Sequence, residues 1–490
     1  MSTYYVTTAI PYVNAAPHLG HALELVQADT LARHRRLRGQ PVRFLTGTDD
    51  NALKNVAAAR AAGVPTAAFV AGNTARFAAL REPLTLSFDD FIATSTDSRH
   101  APGVELLWRR CFAAGDLYRR AYRGLYCAGC EQFYEPSEVD GGVCPEHLTP
   151  PEPVEEKNWF FRLSRYRDRL LRLLESGEVR IVPRGRRNEV LGFVRAGLRD
   201  FSVSRPAVRA DGWGIPVPDD PDQVVYVWWD ALTNYVTALG CAGGDPAYRR
   251  WWAGGGERVH VIGKGIVRFH AVYWLALLLS AGEPLPTTIF VHDYLTAGGA
   301  KLSKSTGNTV DPVALVGRYG TDAVRWWLLR DVATAGDTDF TASRLVLRAN
   351  QDLANGLGNL VHRTVSLVRR YRSGRVPLGT AACTDLPVRI DAALAEFDFR
   401  AATGALRAAV DATNRLVDSA QPWRLARAEQ DGEAGARERL DEVLAVLVAS
   451  CRVLAAEARP FIPVGAARLR DQLGEADRVG APRPAFDRLT

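Results

Sequence analysis

Lysine is the scarce cation of this chain. Among 61 Lys plus Arg in 490 residues there are five lysines, Lys54, Lys157, Lys264, Lys301 and Lys304, so nearly every generic positive charge is an arginine. Two of the five stand three residues apart in a glycine-flanked stretch. There a compact ammonium on a flexible stem can follow a moving phosphate better than a planar guanidinium. Met1 is the sole methionine, a composition bias that carries no structural argument. The N-terminus (MSTYYV) has neither a basic nor an apolar leader segment, so no secretory signal is expected. The longest apolar run, Ala271–Ala281, is too short to cross a bilayer and reads as a buried helix. The seven cysteines are odd in number and widely spaced, which argues against a disulfide framework and fits a reducing cytoplasm. Cys111, Cys241, Cys383 and Cys451 are isolated and read as small buried hydrophobes.

What is present is a globular composition, 47% hydrophobic and 24% charged, long enough for about two to four domains. The net charge of +6 suits a polyanionic partner, although arginine enrichment by codon composition would produce it equally. No internal repeat or low-complexity tail occurs. Residues 3–10 alternate and are β-branched, which predicts a strand; a loop to Pro17 and a helix over 20–37 follow. Residues 41–45 predict a second strand, and 55–62 and 65–80 predict helices, the start of a βαβ pattern and a parallel sheet. Residues 118–153, rich in Gly, Pro and Cys without a long periodic run, read as an insertion. A basic helix is expected over 166–175, and buried strands at 179–182, 223–228, 259–262 and 290–292. From residue 342 aliphatic residues recur at helical spacing, which predicts a bundle with helices at 401–417 and 440–456.

Two short strings carry the chemistry. His18-Leu19-Gly20-His21 opens the first helix, where unpaired N–H groups and the helix dipole favour phosphate. Gly20 removes a side chain where a flat base can lie on backbone. The two imidazoles can donate to phosphate oxygens as charge builds in a pentavalent transition state. Lys301-Leu302-Ser303-Lys304-Ser305, flanked by Gly298, Gly299 and Gly307, brings two ammonium groups to the same phosphates. Position and charge then suffice for a carboxylate to attack an α-phosphate, with no nucleophilic side chain. A separate pair of hooks, Cys127-Ala-Gly-Cys130 and Cys144-Pro-Glu-His147 across a thirteen-residue spacer, has the spacing of a closed tetrahedral zinc site.

The two strings resemble the HIGH and KMSKS motifs of class I aminoacyl-tRNA synthetases. The flanking text is similar to the methionyl branch: Thr8–Asn14 (TAIPYVN), Thr46–Asp49 (TGTD), Tyr226–Ala231 (YVWWDA), Val261–Lys264 (VIGK), Arg268–Trp274 (RFHAVYW) and Asn350–Asn355 (NQDLAN). The resemblance runs from Tyr4 to about Leu489. It implies an α/β Rossmann-type (HUP-like) catalytic domain with a zinc-knuckle connective insertion, followed by an all-α anticodon-binding bundle. The boundaries expected are 1–117 and 223–341 for the two catalytic halves, 118–222 for the insertion and 342–490 for the bundle.

The resemblance also implies ATP with Mg²⁺, a structural Zn²⁺, methionine as the activated amino acid, and tRNA as acceptor, in a cytoplasmic monomer with no membrane partner. His18, His21, Lys301 and Lys304 would be catalytic, and Gly20, Gly263, His292, Ser303 and Ser305 would hold the nucleotide. Asp49 would hold the substrate ammonium. Ala9, Ile10, Tyr12, Trp228, Ala231, Leu232, Tyr235, Ile266, His270 and Trp274 fall on the amino-acid pocket, whose aromatic edges suit a thioether. Asn359 and Arg363, four apart on one helical face, and Trp423 after a proline match the anticodon-reading positions.

Three positions depart from the family pattern. Asp49-Asp50-Asn51-Ala52 stands where the family usually has Asp-Glu-His-Gly. Gly263-Lys264-Gly265 lacks the Asp that meets the ATP ribose, a loss of about 1.5–3 kcal/mol unless water or Asp293 replaces it. Asp293 itself stands where Gly often follows Val-His. Besides a methionine–tRNA ligase, the departures therefore leave open a paralogue that passes an activated amino acid to a small-molecule acceptor, such as an N-hydroxylated amino acid in natural-product N–N bond formation. They leave open, too, a non-catalytic tRNA-binding regulator. Lys304→Ala is expected to lower adenylate formation at least roughly a hundredfold, the scale of a few kcal/mol of transition-state charge stabilisation. Pyrophosphate exchange reads this, with the melting temperature unchanged.

Overall fold

The computed structural model describes residues 2–127, 132–134, 139–144, 149–301, 309–474 and 477–490. The chain forms two compact units. One comprises residues 1–17, 38–81 and 87–292, and the other residues 18–37, 82–86 and 293–490.

The first unit is built on a six-stranded, all-parallel sheet in the order Asp90–Ala93, Val42–Thr48, Tyr4–Thr8, Glu257–Gly263, Thr288–His292, Arg180–Val182. Tyr4–Thr8 (YYVTT) is buried at every residue, as a central parallel strand covered on both faces must be. It pairs with Val42–Leu45 on one side and Glu257–Val261 on the other, so the strand order reverses between Tyr4–Thr8 and Glu257–Gly263. In open α/β sheets ligands bind beyond the carboxyl ends of the strands at such a reversal. Ala9 already sits there, its N–H on the Val261 carbonyl at 3.1 Å.

Two readings of the sequence are corrected. Residues 118–153 are not without long elements. Leu117–Cys127 pairs antiparallel with Glu152–Phe161 over ten residues each, from Leu117↔Phe161 to Tyr126↔Glu152. The period was hidden because charged residues occupy both faces, with Arg123 opposite Glu155 and Tyr122 opposite Glu156. The 223–228 strand ends at Val225, in a separate three-stranded antiparallel sheet, and Val227–Thr237 is a helix that includes Trp228. An apolar, aromatic run of this length does not separate strand from helix by period alone.

In the second unit the helix Leu19–Leu37 lies with the C-terminal helices, among them Thr321–Arg330, Asn359–Arg372, Phe399–Ala420, Pro422–Gln430, Ala436–Ala458 and Pro463–Leu473. Arg325 fastens them. It is fully buried, meets Asp29 of the first helix at 2.8 Å, and donates to the carbonyls of Leu84, Pro460 and Phe461 at 3.0, 2.9 and 3.0 Å. Four residues on, Asp29 also holds Arg33 at 2.7 Å. Asp322, one turn before Arg325, accepts from Val464 N and Gly465 N at the start of Pro463–Leu473, and burial pushes its carboxyl pKa up. Among the described residues, no helix is long and apolar enough to cross a membrane. Arg325→Ala strips a buried carboxylate and three carbonyls of their partner. It should lower stability by about 3–5 kcal/mol, read as a shift of the urea midpoint.

Candidate active site

The second unit carries both the histidine string and the lysine string. His18 and His21 straddle the start of Leu19–Leu37, half-buried, their rings stacked at 3.9 Å between centroids and 24° between planes. Gly20 N donates to His18 Nδ1 at 3.1 Å and His18 N donates to His21 Nδ1 at 3.1 Å. Each Nδ1 is therefore an acceptor, which puts the proton of each neutral ring on Nε2. Gly20 has a steric reason as well: a Cβ there would meet His18 Cε1 at 2.9 Å.

The second string is reached through a hairpin. Leu295–Ala297 pairs antiparallel with Ala300–Lys301 around Gly298 and Gly299, both at positive φ (61° and 78°), as a tight primed turn requires. Asp339, on the neighbouring parallel strand Thr338–Asp339, accepts from Gly299 N at 2.9 Å and Thr296 Oγ1 at 2.8 Å. The backbone of Lys301 lies in this hairpin. Its side chain is not described, and Ser303, Lys304, Ser305 and Gly307 fall outside the described residues. Beyond them the chain returns to the first string, where Leu19 N donates to Val310 O at 2.8 Å. Asp311 then caps Pro312–Tyr319 through Val313 N at 2.8 Å. Asp293, considered as a stand-in for the missing ribose ligand, has its carboxylate on Gly336 N at 2.6 Å.

The first unit brings the amino-acid positions into one patch beyond the strand ends. Asp49 N is bonded to Pro11 O at 2.9 Å, and Tyr12 bridges Asp49 in parallel. Tyr12 meets the Trp228 ring edge-on at 6.2 Å, and Trp228 stacks on Phe269 at 3.8 Å. Asp49, Ala231, Leu232, Tyr235, His270 and Trp274 are buried, whereas Ala9, Ile10, Tyr12, Trp228 and Ile266 are half-buried. The patch thus has a closed floor and a partly open rim. Gly263 and His292, both expected at the nucleotide, are register partners at the ends of adjacent strands.

The floor is held by two neutral imidazoles. His270 Nδ1 faces the Ile266 carbonyl at 3.0 Å and so carries the proton, leaving Nε2 to accept from Tyr235 OH at 2.7 Å. His260 Nε2 accepts from Trp274 Nε1 at 3.2 Å, so its Nδ1 donates to Thr7 Oγ1 at 2.8 Å. Burial holds the His270 pKa down at about 4 and drives that of His260 well below its usual value. Asp50 beside Asp49 is buried too. Burial raises its pKa against the hydrogen bonds it takes from Ser95 Oγ at 2.8 Å and Thr74 Oγ1 at 3.0 Å. Sequence reasoning missed Phe269, His260, His100 and Asp230. Asp230 stands inside a family-like string, but nothing along the chain marks its partner His100.

Of the metal hooks, Cys127 and Cys144 are described, both buried in one small cluster with Tyr134 and Val139. Cys130 and His147 fall outside the described residues, and no metal-binding group of three or more ligands occurs among the described ones. The four isolated cysteines are buried, and burial pushes Cys111, Cys241 and Cys451 up to about 12, which leaves them inert thiols. On the helical side, Asn359 is exposed, Arg363 reaches Asp418 at 3.2 Å, and Trp423 is 42% exposed beside Pro422. Arg372 at the far end of Asn359–Arg372 grips Glu429 at 3.0 Å and Asp441 at 2.5 Å. It thereby ties that helix to the one that presents Trp423.

The chain is similar to known proteins along nearly its whole length. Residues 4–150 and 147–365 match the family described as tRNA synthetases class I (M), and 380–487 match the anticodon binding domain of methionyl tRNA ligase. The methionine–tRNA ligase of Mycobacterium bovis is 44% identical over 97% of this chain and 93% of its own length. That of Rhizobium meliloti is 41% identical over 99% and 98%. The structure of Mycobacterium tuberculosis methionyl-tRNA synthetase in complex with methionyl-adenylate superposes with a TM-score of 0.93 at 41% identity, over 99% of this chain and all of that one. The apo form gives 0.87 at 38%, over 100% of this chain and 99% of that one.

The neutral imidazoles make a pH prediction. His270 titrates near 4 when folded and near 6.5 when unfolded, so below about 6.5 the unfolded chain binds more protons and stability falls as pH falls, at about 1.4 kcal/mol per pH unit per group. His270→Gln should therefore flatten the drop in urea midpoint between about pH 6.5 and 4.5 relative to the parent chain.

Proposed function

This chain belongs to the class I tRNA synthetases of the methionine type, and on that footing we propose that it activates methionine with ATP and passes the methionyl group to the 3′ end of tRNA. The methionine carboxylate oxygen attacks the α-phosphorus, the bond to pyrophosphate breaks, and methionyl-adenylate forms. A terminal ribose hydroxyl of tRNA then attacks the acyl carbon and AMP leaves. The observation that carries this reading is the Leu19 N to Val310 O hydrogen bond, which fastens the exit of the lysine string to the turn between the two histidines.

In this reading His18 and His21 offer Nε2–H donors, and Lys301 and Lys304 offer ammonium groups, to the triphosphate as its charge shifts. Gly20, Gly263, His292, Ser303 and Ser305 hold the nucleotide. Asp49 neutralises the methionine ammonium. Tyr12, Trp228, Ala231, Leu232, Tyr235, Ile266, His270 and Trp274, with Ala9 and Ile10, shape the side-chain pocket. A floor of neutral histidines suits an uncharged thioether, since a buried imidazolium would demand a counter-charge there. Mg²⁺ carried in with ATP would offset phosphate charge. Cys127 and Cys144, buried together, fit a structural Zn²⁺ completed by Cys130 and His147.

The favoured acceptor is tRNA rather than a small molecule. Trp423 is a half-exposed aromatic platform braced against a helix with Asn359 and Arg363, as single-stranded anticodon bases require. Such work belongs in the cytoplasm. The test is methionine-dependent pyrophosphate exchange together with methionyl-tRNA formation; exchange with another amino acid, or without tRNA product, would overturn it. Trp423→Ala should raise the KM for tRNA roughly tenfold to a hundredfold, the worth of about 1–3 kcal/mol of base stacking. Exchange measured without tRNA should be unchanged.

A further inference from the structure

The helix Val227–Thr237 is gripped from behind. Trp228, Ala231, Leu232 and Tyr235, spaced i, i+3, i+4 and i+7, share one stripe, the one the proposed function places on the pocket. Asp230 and Thr237, spaced i and i+7, lie about half a turn away on the opposite stripe. Both are held by one residue. His100 Nε2 donates to Asp230 Oδ1, and His100 Nδ1 meets Thr237 Oγ1 at 2.7 Å. His100 opens the helix His100–Ala113, which comes this close because residue 103 is glycine: a Cβ there would lie 2.4 Å from Thr237 Cγ2. The second oxygen of Asp230 accepts from Asn51 Nδ2 at 2.7 Å, and Asn51 N donates to Asp49 Oδ1 at 3.3 Å. His100 and Asp230 are fully buried, and Asn51 is 9% exposed.

We propose that His100, Asp230 and Asn51 form a positioning chain that fixes the distance between the Asp49 carboxylate and the pocket helix, and so sets methionine binding specifically. The proposal rests on the reading of Asp49 as the ammonium ligand. An ionised carboxylate only accepts, so Asp230 dictates the proton on His100 Nε2 and the orientation of the Asn51 amide. Asp230 therefore registers two elements with one buried charge: the loop bearing Asp49, and the helix bearing four pocket side chains. The amide of Asn51 supplies the N–H that this carboxylate needs, which gives Asn51 a role although the family pattern differs there.

The test compares KM for methionine with KM for ATP by pyrophosphate exchange in the full chain. Asn51→Ala, at the accessible end, is expected to raise the methionine KM about tenfold, the loss of one charge-assisted hydrogen bond, with the ATP KM within about twofold of the parent. Asn51→His, which restores an N–H donor, is expected to recover most of that loss. Asp230→Asn is expected to raise the methionine KM at least as far, and adding Asn51→Ala to it should cost little more, because the two act through one contact. Equal rises in both KM values, or a methionine KM unchanged in Asn51→Ala, would overturn the proposal. Asp49→Asn, measured alongside, separates the premises. An unchanged methionine KM there overturns the reading of Asp49, whereas a raised one with Asn51→Ala unaffected overturns the positioning chain alone.

Discussion

The parallel pairing of Tyr4–Thr8 with Glu257–Gly263 is the constraint on which the first unit depends. Parallel neighbours cannot be joined by a tight turn, and here everything from residue 9 to residue 256 leaves and returns between them. The strand order reverses at this seam, and Ala9 to Tyr12 and Lys264 to His270 lie just past the two strand ends. The loop 49–51 and the helix Val227–Thr237 meet them, through Tyr12 with Asp49 and Trp228 with Phe269. Each has its own fastening, because neither is part of the sheet.

Those fastenings are polar and buried. His260 and His270 are kept neutral by desolvation, and each spends both nitrogens on a named partner. Asp230 keeps a carboxylate in the interior by filling both oxygens. A buried polar group that finds all its partners fixes orientation more narrowly than an apolar contact of equal area, since the alternative is an unsatisfied group at a cost of about 1–3 kcal/mol. The aromatic residues Trp228 and Tyr235 are backed by these buried polar groups, which fix their placement.

Much of this was legible in the sequence. The strands at 4–8, 257–263 and 288–292 are short β-branched runs bounded by turn residues, and the helices of the C-terminal half keep a steady 3.6-residue period. The histidine and lysine strings were read from their own residues and then through resemblance, and the pocket positions through resemblance alone; in the structure Tyr12 meets Trp228, and Tyr235 meets His270 and Trp274. Three things were not legible. The long antiparallel pair Leu117–Cys127 and Glu152–Phe161 carries charges at consecutive positions, Arg119 and Arg120 on one strand and Glu155, Glu156 and Lys157 on the other, and so shows no hydrophobic period. At 226–228 an aromatic run serves strand and helix equally well until Asp230 is recognised as the acidic residue of a first helical turn. His100 and Asp230 lie 130 residues apart and meet through tertiary packing alone.

The burial of Arg325 has an architectural consequence for how this chain can be cut. Its guanidinium joins Asp29, eleven residues past His18, to the backbone at Pro460 and Phe461 near the carboxyl end. A fragment ending before Pro460 would keep the whole of the histidine and lysine strings and yet leave that cation with two of its acceptors amputated, beneath the helix that presents His18 and His21. Modularity as drawn along the sequence and autonomy as a folding piece are therefore different properties here: the amino-terminal helix Leu19–Leu37 is, in its energetics, a member of the carboxyl-terminal bundle.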